Sequence, residues 1–316
     1  MKAALKLSLA VIFFLACCGI VNVLDSTDFS AAAGPEAPSG DTRVILVIFD
    51  SLSSELMDEM LDSGELPALR ALLADRGVRV RSAAAAFPTI SFSSHASILT
   101  GVFADRHGIA GLRWFDRRRQ TNRSYAGFGS ELIGQDMDSR VKTLFEHLDG
   151  SSTASIGCVV RRGSAEYIPP WLPPDGLRMK SLMKLFRRPN PPKLSVAVLT
   201  GIDWPAHRYG PKSFWVRRAL IKFDKRLKRL MDLLKNRGLD RSTYIVLTSD
   251  HGHTDVERRF DLYSFVQSAG FDILDKILYT GKTEGPTDYN AVLWVAGDAY
   301  GFMYLPAMRA EKKIWE

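Results

Sequence analysis

The strongest constraint on the fold is a continuous apolar run at residues 44–49, in which four of the six side chains are β-branched. A strand that is apolar on both faces is typical of the centre of a parallel sheet, where helices cover both sides. Similar runs at residues 194–199 and 244–247 are predicted to pair beside it, and residues 154–160 also have the composition of a buried strand.

Helical patterns lie between these runs, at about residues 55–76, 141–148 and 213–236. The last pattern has one apolar stripe and an opposite side rich in Lys and Arg. A basic helix side is usually a solvated surface, so we predict no nucleic-acid partner. Alternating strands and helices predict an α/β sandwich with a central, mainly parallel sheet and helices on both faces.

The N-terminal segment differs from the rest of the chain. Residues 1–24 combine a basic start with an apolar core, which is the pattern of a signal peptide or a membrane anchor. The Ala-, Gly- and Pro-rich residues 25–42 are then a linker, followed by one folded domain at residues 43–316. Pro-rich stretches interrupt the domain, and we expect a small cap or lid around residues 112–192. The protein is predicted to be exported, either periplasmic or extracellular or held at the membrane by its N-terminal segment.

Acidic and imidazole side chains follow three of the predicted strands. Asp50 comes directly after the first strand, Asp203 and His207 follow the second, and Asp250 and His251 follow the third. Because the carboxyl ends of parallel strands meet at one edge of a sheet, we expect these side chains to converge there. Carboxylates with imidazoles are the ligand set of Zn²⁺ and, less specifically, of other divalent cations.

A hydroxyl group stands just before another predicted helix. Ser91 precedes this helix start, where free backbone N–H groups and the positive end of the helix dipole favour an anion. A serine hydroxyl held beside a metal ion is an activated nucleophile. The alternative is that Ser91 is a plain helix N-cap.

The chain contains three motifs in order: Phe87-Pro88-Thr89-x-Ser91-Phe92 with Thr100-Gly101 and His107-Gly108-Ile109, Asp203-x-x-x-His207-x-Tyr209-Gly210-Pro211, and Thr248-Ser249-Asp250-His251-Gly252. Together they resemble the type I phosphodiesterase / nucleotide pyrophosphatase branch of the alkaline phosphatase superfamily. The resemblance implies an alkaline-phosphatase-like α/β sandwich with two divalent metal ions, usually Zn²⁺.

The resemblance also implies roles for the candidate residues. Ser91 would attack phosphorus and form a covalent phospho-Ser91 intermediate. One metal ion would be held by Asp50, Ser91, Asp250 and His251, and the second by Asp203 and His207. Phe92 and Arg113 are the candidate substrate-binding residues.

The chain departs from the family pattern at three positions. The family branch normally has Thr where this chain has Ser91, and Leu112 replaces the Asn that binds phosphate. Arg113, Ser94 or backbone N–H groups could take over that donor role. A histidine that completes the second metal site in the family has no counterpart after His253, which we expect to point differently from His251. From this gap we expect the chain to be C-terminally incomplete.

The function predicted from these features is metal-dependent hydrolysis of phosphodiester or pyrophosphate bonds. The resemblance implies a phosphorylated small molecule, of nucleotide type, or a lipid headgroup as substrate. The formal net charge of +7 suits an anionic substrate but does not identify it. Two alternatives stay open, a phosphomonoesterase that uses the same site and a catalytically impaired binding protein of the same fold.

Overall fold

The computed structural model describes residues 42–80, 83–116, 121–148, 152–170, 174–274, 291–296 and 300–305. The strands are β1 (Arg43–Phe49), β2 (Arg113–Asp116), β3 (Thr121–Ser124), β4 (Thr153–Ile156), β5 (Glu166–Ile168), β6 (Leu194–Leu199), β7 (Thr243–Ser249), β8 (Ile273–Leu274), β9 (Ala291–Ala296) and β10 (Tyr300–Tyr304). The helices are α1 (Ser54–Asp62), α2 (Pro67–Arg76), α3 (Ser91–Thr100), α4 (Ala104–His107), α5 (Ile133–Asp136), α6 (Leu144–His147), α7 (Asp175–Leu185), α8 (Asp203–Tyr209), α9 (Phe214–Asn236) and α10 (Leu262–Ser268), with a 3-10 helix at Gly127–Leu132.

The central sheet has five strands in the order β5-β4-β6-β1-β7, and every neighbouring pair is parallel. All seven residues of β1 are buried, as its uninterrupted apolar run predicts. In the register of the three central strands, Phe49 lies opposite Leu199 on one side and Ser249 on the other. These strands therefore end together at one edge, which confirms the predicted parallel arrangement.

Two apolar cores lie on opposite faces of this sheet. Ile45, Val47 and Phe49 of β1 belong to the first core, together with α1, α2, α7 and α9. The alternate residues Leu46 and Ile48 belong to the second core, with α3 and α6. Because successive side chains of a strand point to opposite faces, β1 anchors both layers of the sandwich.

Two of the predicted helices differ in extent from the prediction. The pattern at residues 55–76 is split into α1 and α2, because Pro67 has no backbone N–H and stands at the first position of the second helix. The pattern at residues 141–148 contains a single helical turn, α6, closed by a capping box between Thr143 and Glu146. The long pattern at residues 213–236 is confirmed by α9.

Residues 112–192, the region expected to form a cap, belong partly to the central sheet and its first core and partly to a separate hairpin. Strands β4 and β5 and helix α7 lie within this range but belong to the central sheet and its first core, so for them the expectation of a cap is wrong. Residues 153–156 are all buried, and their backbone pairs with β6 on one side and β5 on the other. The hairpin formed by β2 and β3 stands apart from the central sheet, as does the small sheet of β8, β9 and β10.

The predicted N-terminal segment at residues 1–24 and nearly all of the linker lie outside the described residues. Among the helices that are described, none is both long and apolar enough to cross a membrane.

Candidate active site

The carboxyl ends of the three central strands carry the predicted acidic residues. Asp50 follows β1 and donates its backbone N–H to Leu199 O at 2.9 Å. Asp250 follows β7 and donates its backbone N–H to Phe49 O at 3.1 Å. The strand pairing thus continues one residue past each strand and fixes the backbone of both aspartates side by side. Asp203 is the first residue of α8, four residues after Leu199, the last residue of β6.

The first donor group consists of Asp50, Asp250 and His251. One ligand atom from each of these residues lies within 4.8 Å of the others. His251 Nε2 is 3.6 Å from Asp50 Oδ1 and 3.8 Å from Asp250 Oδ2. Asp50 and Asp250 are buried and His251 is half-buried. These are three of the four residues predicted to hold the first metal ion.

Ser91, the fourth predicted ligand and the predicted nucleophile, lies against this group. Its hydroxyl donates to Asp50 Oδ1 at 3.3 Å and is 3.2 Å from His251 Nε2. Ser91 is the first residue of α3, and the residue before it, Ile90, provides no side-chain cap. The first-turn N–H groups of α3 are therefore free of a side-chain acceptor, which is the arrangement that favours a bound anion at a helix N-terminus.

The second donor group consists of Asp203, His207 and His253. Asp203 Oδ1 is 3.4 Å from His207 Nε2, one helical turn away on α8. The ring of His253 contacts the ring of His207 with a centroid distance of 4.4 Å. His253 and His251 belong to different donor groups, and His253 supplies the third ligand that the second group lacked in the prediction. The geometry therefore adds His253 to Asp203 and His207, the two residues predicted to hold the second metal ion.

Ser51 connects the two donor groups and was not predicted. Its hydroxyl donates to Asp203 Oδ1 at 2.6 Å and lies 3.3 Å from His251 Nδ1 and 3.4 Å from His253 Nδ1. Its backbone N–H donates to Asp250 Oδ1 at 3.2 Å. The position of Ser51 directly after Asp50, at the same strand end, is the sequence feature that could have identified it.

The first donor group concentrates negative charge in a buried place. Burial raises the pKa of Asp50 to about 9, and the charges of Asp250 and Asp203 act in the same direction. Burial alone would also raise the pKa of Asp250, but contacts with His95, His251 and the Ser51 N–H outweigh it and lower this pKa. Adjacent buried carboxylates cannot all ionise without a nearby positive charge.

The residues present fit a divalent cation in each group. Each group offers carboxylate oxygen and imidazole nitrogen atoms at the mutual separations expected of ligands around one ion. The raised pKa of Asp50 has a physical cause that a bound cation would remove, since a cation favours the ionised form of a carboxyl group.

Two further histidines, His95 and His107, lie near the site outside both donor groups. His95 Nε2 lies 3.0 Å from Asp250 Oδ2, although the angle is outside hydrogen-bond geometry. His107 accepts the Ile109 N–H at 3.1 Å and has Ser97 Oγ 3.0 Å from its Nε2, while burial lowers its pKa to about 4. His107 is thus a neutral residue that fixes the loop after α4.

A cavity opens over the edge that carries both groups. Its lining includes Thr89, Ser91, Phe92, Leu112, Asp203 and His251. The ring of Phe92 stacks on Tyr125 with a centroid distance of 6.2 Å. Arg113 is the first residue of β2, next to Leu112, and its role toward substrate stays a prediction.

The motifs and this geometry correspond to a known family. The family model described as type I phosphodiesterase / nucleotide pyrophosphatase matches residues 44–310. The chain belongs to this family. The match covers both donor groups and Ser91, and it confirms the resemblance to the alkaline phosphatase superfamily.

Relatives in this family are distant in sequence. Mouse ectonucleotide pyrophosphatase/phosphodiesterase family member 1 is 26% identical over 238 residues, which are 69% of this chain and 25% of that protein. The Xenopus laevis bis(5'-adenosyl)-triphosphatase enpp4 is 26% identical over 226 residues, which are 68% of this chain and 48% of that protein. The chain thus spans between a quarter and about half of the length of these relatives.

Solved structures confirm the fold. Human ectonucleotide pyrophosphatase/phosphodiesterase 5 matches with a TM-score of 0.61 at 22% identity, over 74% of this chain and 63% of that chain. Its murine counterpart, solved in complex with AMP, matches with a TM-score of 0.59 at 22% identity, over 74% and 64% of the two chains. At this identity the likeness shows the fold alone.

Proposed function

We propose that the protein hydrolyses phosphodiester or pyrophosphate bonds in a metal-dependent reaction with Ser91 as nucleophile. The observation that carries the proposal is the position of Ser91. Its hydroxyl lies within 3.3 Å of two ligand side chains, at an uncapped helix N-terminus that lines a cavity. A nucleophile, an anion-binding helix end and a cation site then act on one phosphorus atom.

The chain's own residues would position the nucleophile. Asp50 Oδ1 accepts the hydrogen bond from the Ser91 hydroxyl, which leaves the lone pairs of Ser91 Oγ for the substrate. Attack forms the bond from Ser91 Oγ to phosphorus, breaks the bond from phosphorus to the leaving-group oxygen, and passes the Ser91 proton to Asp50 Oδ1 and from there to the leaving group or solvent. Water then forms a bond to phosphorus and breaks the bond to Ser91 Oγ. A proton of that water restores the Ser91 hydroxyl, and the phosphoryl product leaves with the new oxygen. Bound divalent ions would supply charge neutralisation at the attacking and leaving oxygens.

We propose that Zn²⁺ occupies both donor groups. Asp50, Ser91, Asp250 and His251 would hold the first ion, and Asp203, His207 and His253 the second. Mixed oxygen and nitrogen donors support zinc over magnesium or calcium, which prefer oxygen ligands alone.

Leu112 removes one donor for phosphate, and two features of α3 support a replacement. The first-turn N–H groups of α3 lack a side-chain cap. Ser94, one turn after Ser91, lines the cavity and has a buried hydroxyl with no hydrogen-bond partner among the described residues. Either donor could stabilise charge on a phosphate oxygen, an effect that is commonly about 3 kcal/mol per donor.

The relatives favour a nucleotide as substrate. One relative is named a bis(5'-adenosyl)-triphosphatase, and one structural neighbour was solved with AMP. In this chain, Phe92 at the cavity wall could contact a base by its exposed edge. A lipid headgroup with a phosphodiester would present the same reacting group. Ectonucleotide relatives also favour the predicted export of the protein.

The proposal is tested with the full chain loaded with zinc. We expect bis-p-nitrophenyl phosphate to be hydrolysed faster than p-nitrophenyl phosphate. Ser91→Ala should lower kcat roughly a thousandfold or more, whereas the matched variant Ser91→Thr keeps the hydroxyl and should retain activity. Faster hydrolysis of the monoester would favour the phosphomonoesterase alternative. Bound zinc without turnover of either ester would favour a binding protein.

A further inference from the structure

Four exposed aromatic side chains form a continuous cluster on α8 and at the start of α9. They are Trp204, Tyr209, Phe214 and Trp215, with exposed fractions of 64%, 51%, 64% and 50%. Ring centroids are 5.9 Å apart for Trp204 and Tyr209, 6.0 Å for Tyr209 and Trp215, and 5.4 Å for Phe214 and Trp215. We call these four residues the aromatic patch. Single exposed apolar residues are ordinary, but a contiguous patch marks an interaction surface.

The aromatic patch lies outside the cavity over Ser91. Asp203 and His207 of α8 line that cavity, whereas none of the four aromatic residues does. The patch is therefore at the outer rim of the candidate site, on the surface of the molecule, and does not form a wall of the substrate cavity.

A row of basic residues continues from the patch along α9. Phe214 is followed on the same side of the helix by Arg218, Lys222, Lys225 and Arg229, at steps of three and four residues, and all are exposed. We call these four cations the basic row. At 1.5 Å per residue, the side from Phe214 to Arg229 is about 22 Å long.

Acidic side chains do not neutralise this row along α9. The helix carries two aspartates, of which Asp224 is buried and bonds to α2. The other, Asp232, forms an ion pair with Lys228 at 2.5 Å. The exposed side of α9 therefore keeps a net positive charge beside an apolar rim.

We propose that the aromatic patch and the basic row dock the protein on an anionic membrane surface. Trp and Tyr are the side chains that favour the boundary between headgroups and acyl chains. Lys and Arg next to them are attracted to anionic headgroups. A surface about 22 Å long, with separate aromatic and basic zones, matches an extended lipid surface better than one small ligand. Because Trp204 and Asp203 are neighbours on α8, docking places the rim of the cavity at the headgroup layer.

Docking is tested by hydrogen–deuterium exchange of the full chain, with vesicles of phosphatidylcholine alone or mixed with phosphatidylglycerol. The N-terminal segment is common to both measurements, so the difference between them reports the folded domain. We expect amides in residues 203–229 to gain protection with the anionic vesicles alone, and high salt to reduce this protection. No turnover is needed, so the result is independent of the proposed activity.

Paired variants separate the two parts of the surface. Trp204→Ser with Trp215→Ser should abolish most of the protection. Arg218→Glu with Lys225→Glu should lower the ratio of docked to undocked protein roughly tenfold or more. Circular dichroism melts of both variants check that the fold is kept.

Two control variants make comparable changes elsewhere on the surface, one to an aromatic pair and one to a pair of cations. Phe260→Ser with Phe265→Ser alters another exposed ring pair, with centroids 5.3 Å apart. Arg106→Glu with Lys142→Glu reverses two exposed charges on segments next to the second core. Both controls should keep the protection seen in the unaltered chain.

Three results would overturn the proposal. If neutral and anionic vesicles protected residues 203–229 equally, the basic row would not be binding anionic headgroups. If the patch variants and the control variants lost equal amounts of protection, the aromatic patch and the basic row would not be the docking surface. Protection of residues 203–229 by AMP without vesicles would assign the aromatic residues to substrate binding instead.

Discussion

Ser51 has a backbone conformation that only glycine adopts without cost. Its φ is 71°, and it is the one residue other than glycine with a positive φ in the described part of the chain. For a residue with a Cβ atom, the left-handed region costs about 1 kcal/mol. The hydroxyl compensates by donating to Asp203 and by lying against both donor groups.

Substitutions at Ser51 should separate the backbone cost from the hydrogen bond. Both Ser51→Ala and Ser51→Gly remove the hydrogen bond to Asp203. Alanine still has a Cβ atom and keeps the conformational cost of the positive φ, whereas glycine does not have this cost. We expect Ser51→Ala to be less stable than Ser51→Gly by about 1 kcal/mol in urea unfolding of the metal-free chain. Equal stability of the two variants, or a more stable alanine variant, would contradict this account of the backbone.

Asp50 gives the metal-free protein a defined dependence on pH. Its pKa is raised from 3.8 to about 9 in the folded chain, so between these values the folded state binds a proton that the unfolded state has released. Stability should therefore fall as pH rises through this window, by at most about 1.4 kcal/mol per pH unit from this group. The lowered pKa of Asp250 acts in the opposite direction, but only at more acidic pH.

The test is urea unfolding with a chelator present at several pH values between mildly acidic and mildly basic. We expect the unaltered chain to lose stability across this range and Asp50→Asn to show a flatter profile, because the amide does not titrate. A profile that is unchanged by Asp50→Asn would show that other groups control the pH dependence.

Single residues at strand ends were predictable where the strand itself was predictable. Asp50 follows β1 directly, Asp250 and His251 follow β7 directly, and the parallel register brings them together. Ser51 and His253 were missed because their placement depends on the irregular backbone after the strand, which has no period in the sequence.

The N-terminus of α2 is capped by a side chain from another helix. Its own N-cap residue, Leu66, has no side-chain hydrogen bond. Instead, Asp224 of α9 accepts the N–H groups of Ala68 at 3.1 Å and Leu69 at 2.8 Å. A carboxylate at a helix N-terminus is stabilised by the free N–H groups and by the helix dipole.

Asp224→Ala should therefore destabilise the fold by about 2 kcal/mol, since it leaves two N–H groups of α2 without their acceptor. The matched control is Asp232→Ala on the same helix, where the aspartate is exposed and paired only with Lys228. This control should change the free energy of unfolding by less than about 0.5 kcal/mol. Similar losses for both variants in urea unfolding would rule out the capping role.

The strands of the sheet were predicted better than the helices between them. A strand buried on both faces has a distinctive composition, and the runs at residues 44–49, 194–199 and 244–247 all pair as expected. The run at residues 154–160 is shortened, because Gly157 has a φ of 70° and ends β4 there. Hydrophobic periodicity does not report this turn at Gly157 or the division of α1 from α2 at Pro67, because both depend on single residues with special backbone properties.

For the molecule as a whole, the sequence predicted the layers of the fold and the sheet edge at which the donor groups meet, whereas the order of the strands came from the structure. The order β5-β4-β6-β1-β7 places the first strand in sequence between two later ones. This order is what brings Asp50 between the residues contributed by β6 and β7. Hydrophobic patterns define which segments are strands but carry no information on which strands are neighbours.

The central claim is that two donor groups at this edge each hold a divalent cation, and zinc content measures it most directly. After dialysis against zinc, elemental analysis of the full chain should give about two ions per chain. His253→Ala should lower the content to about one, and His147→Ala, on an exposed turn away from both groups, should leave it unchanged. Fewer than one ion in the unaltered chain, or an equal content in all three proteins, would contradict the account.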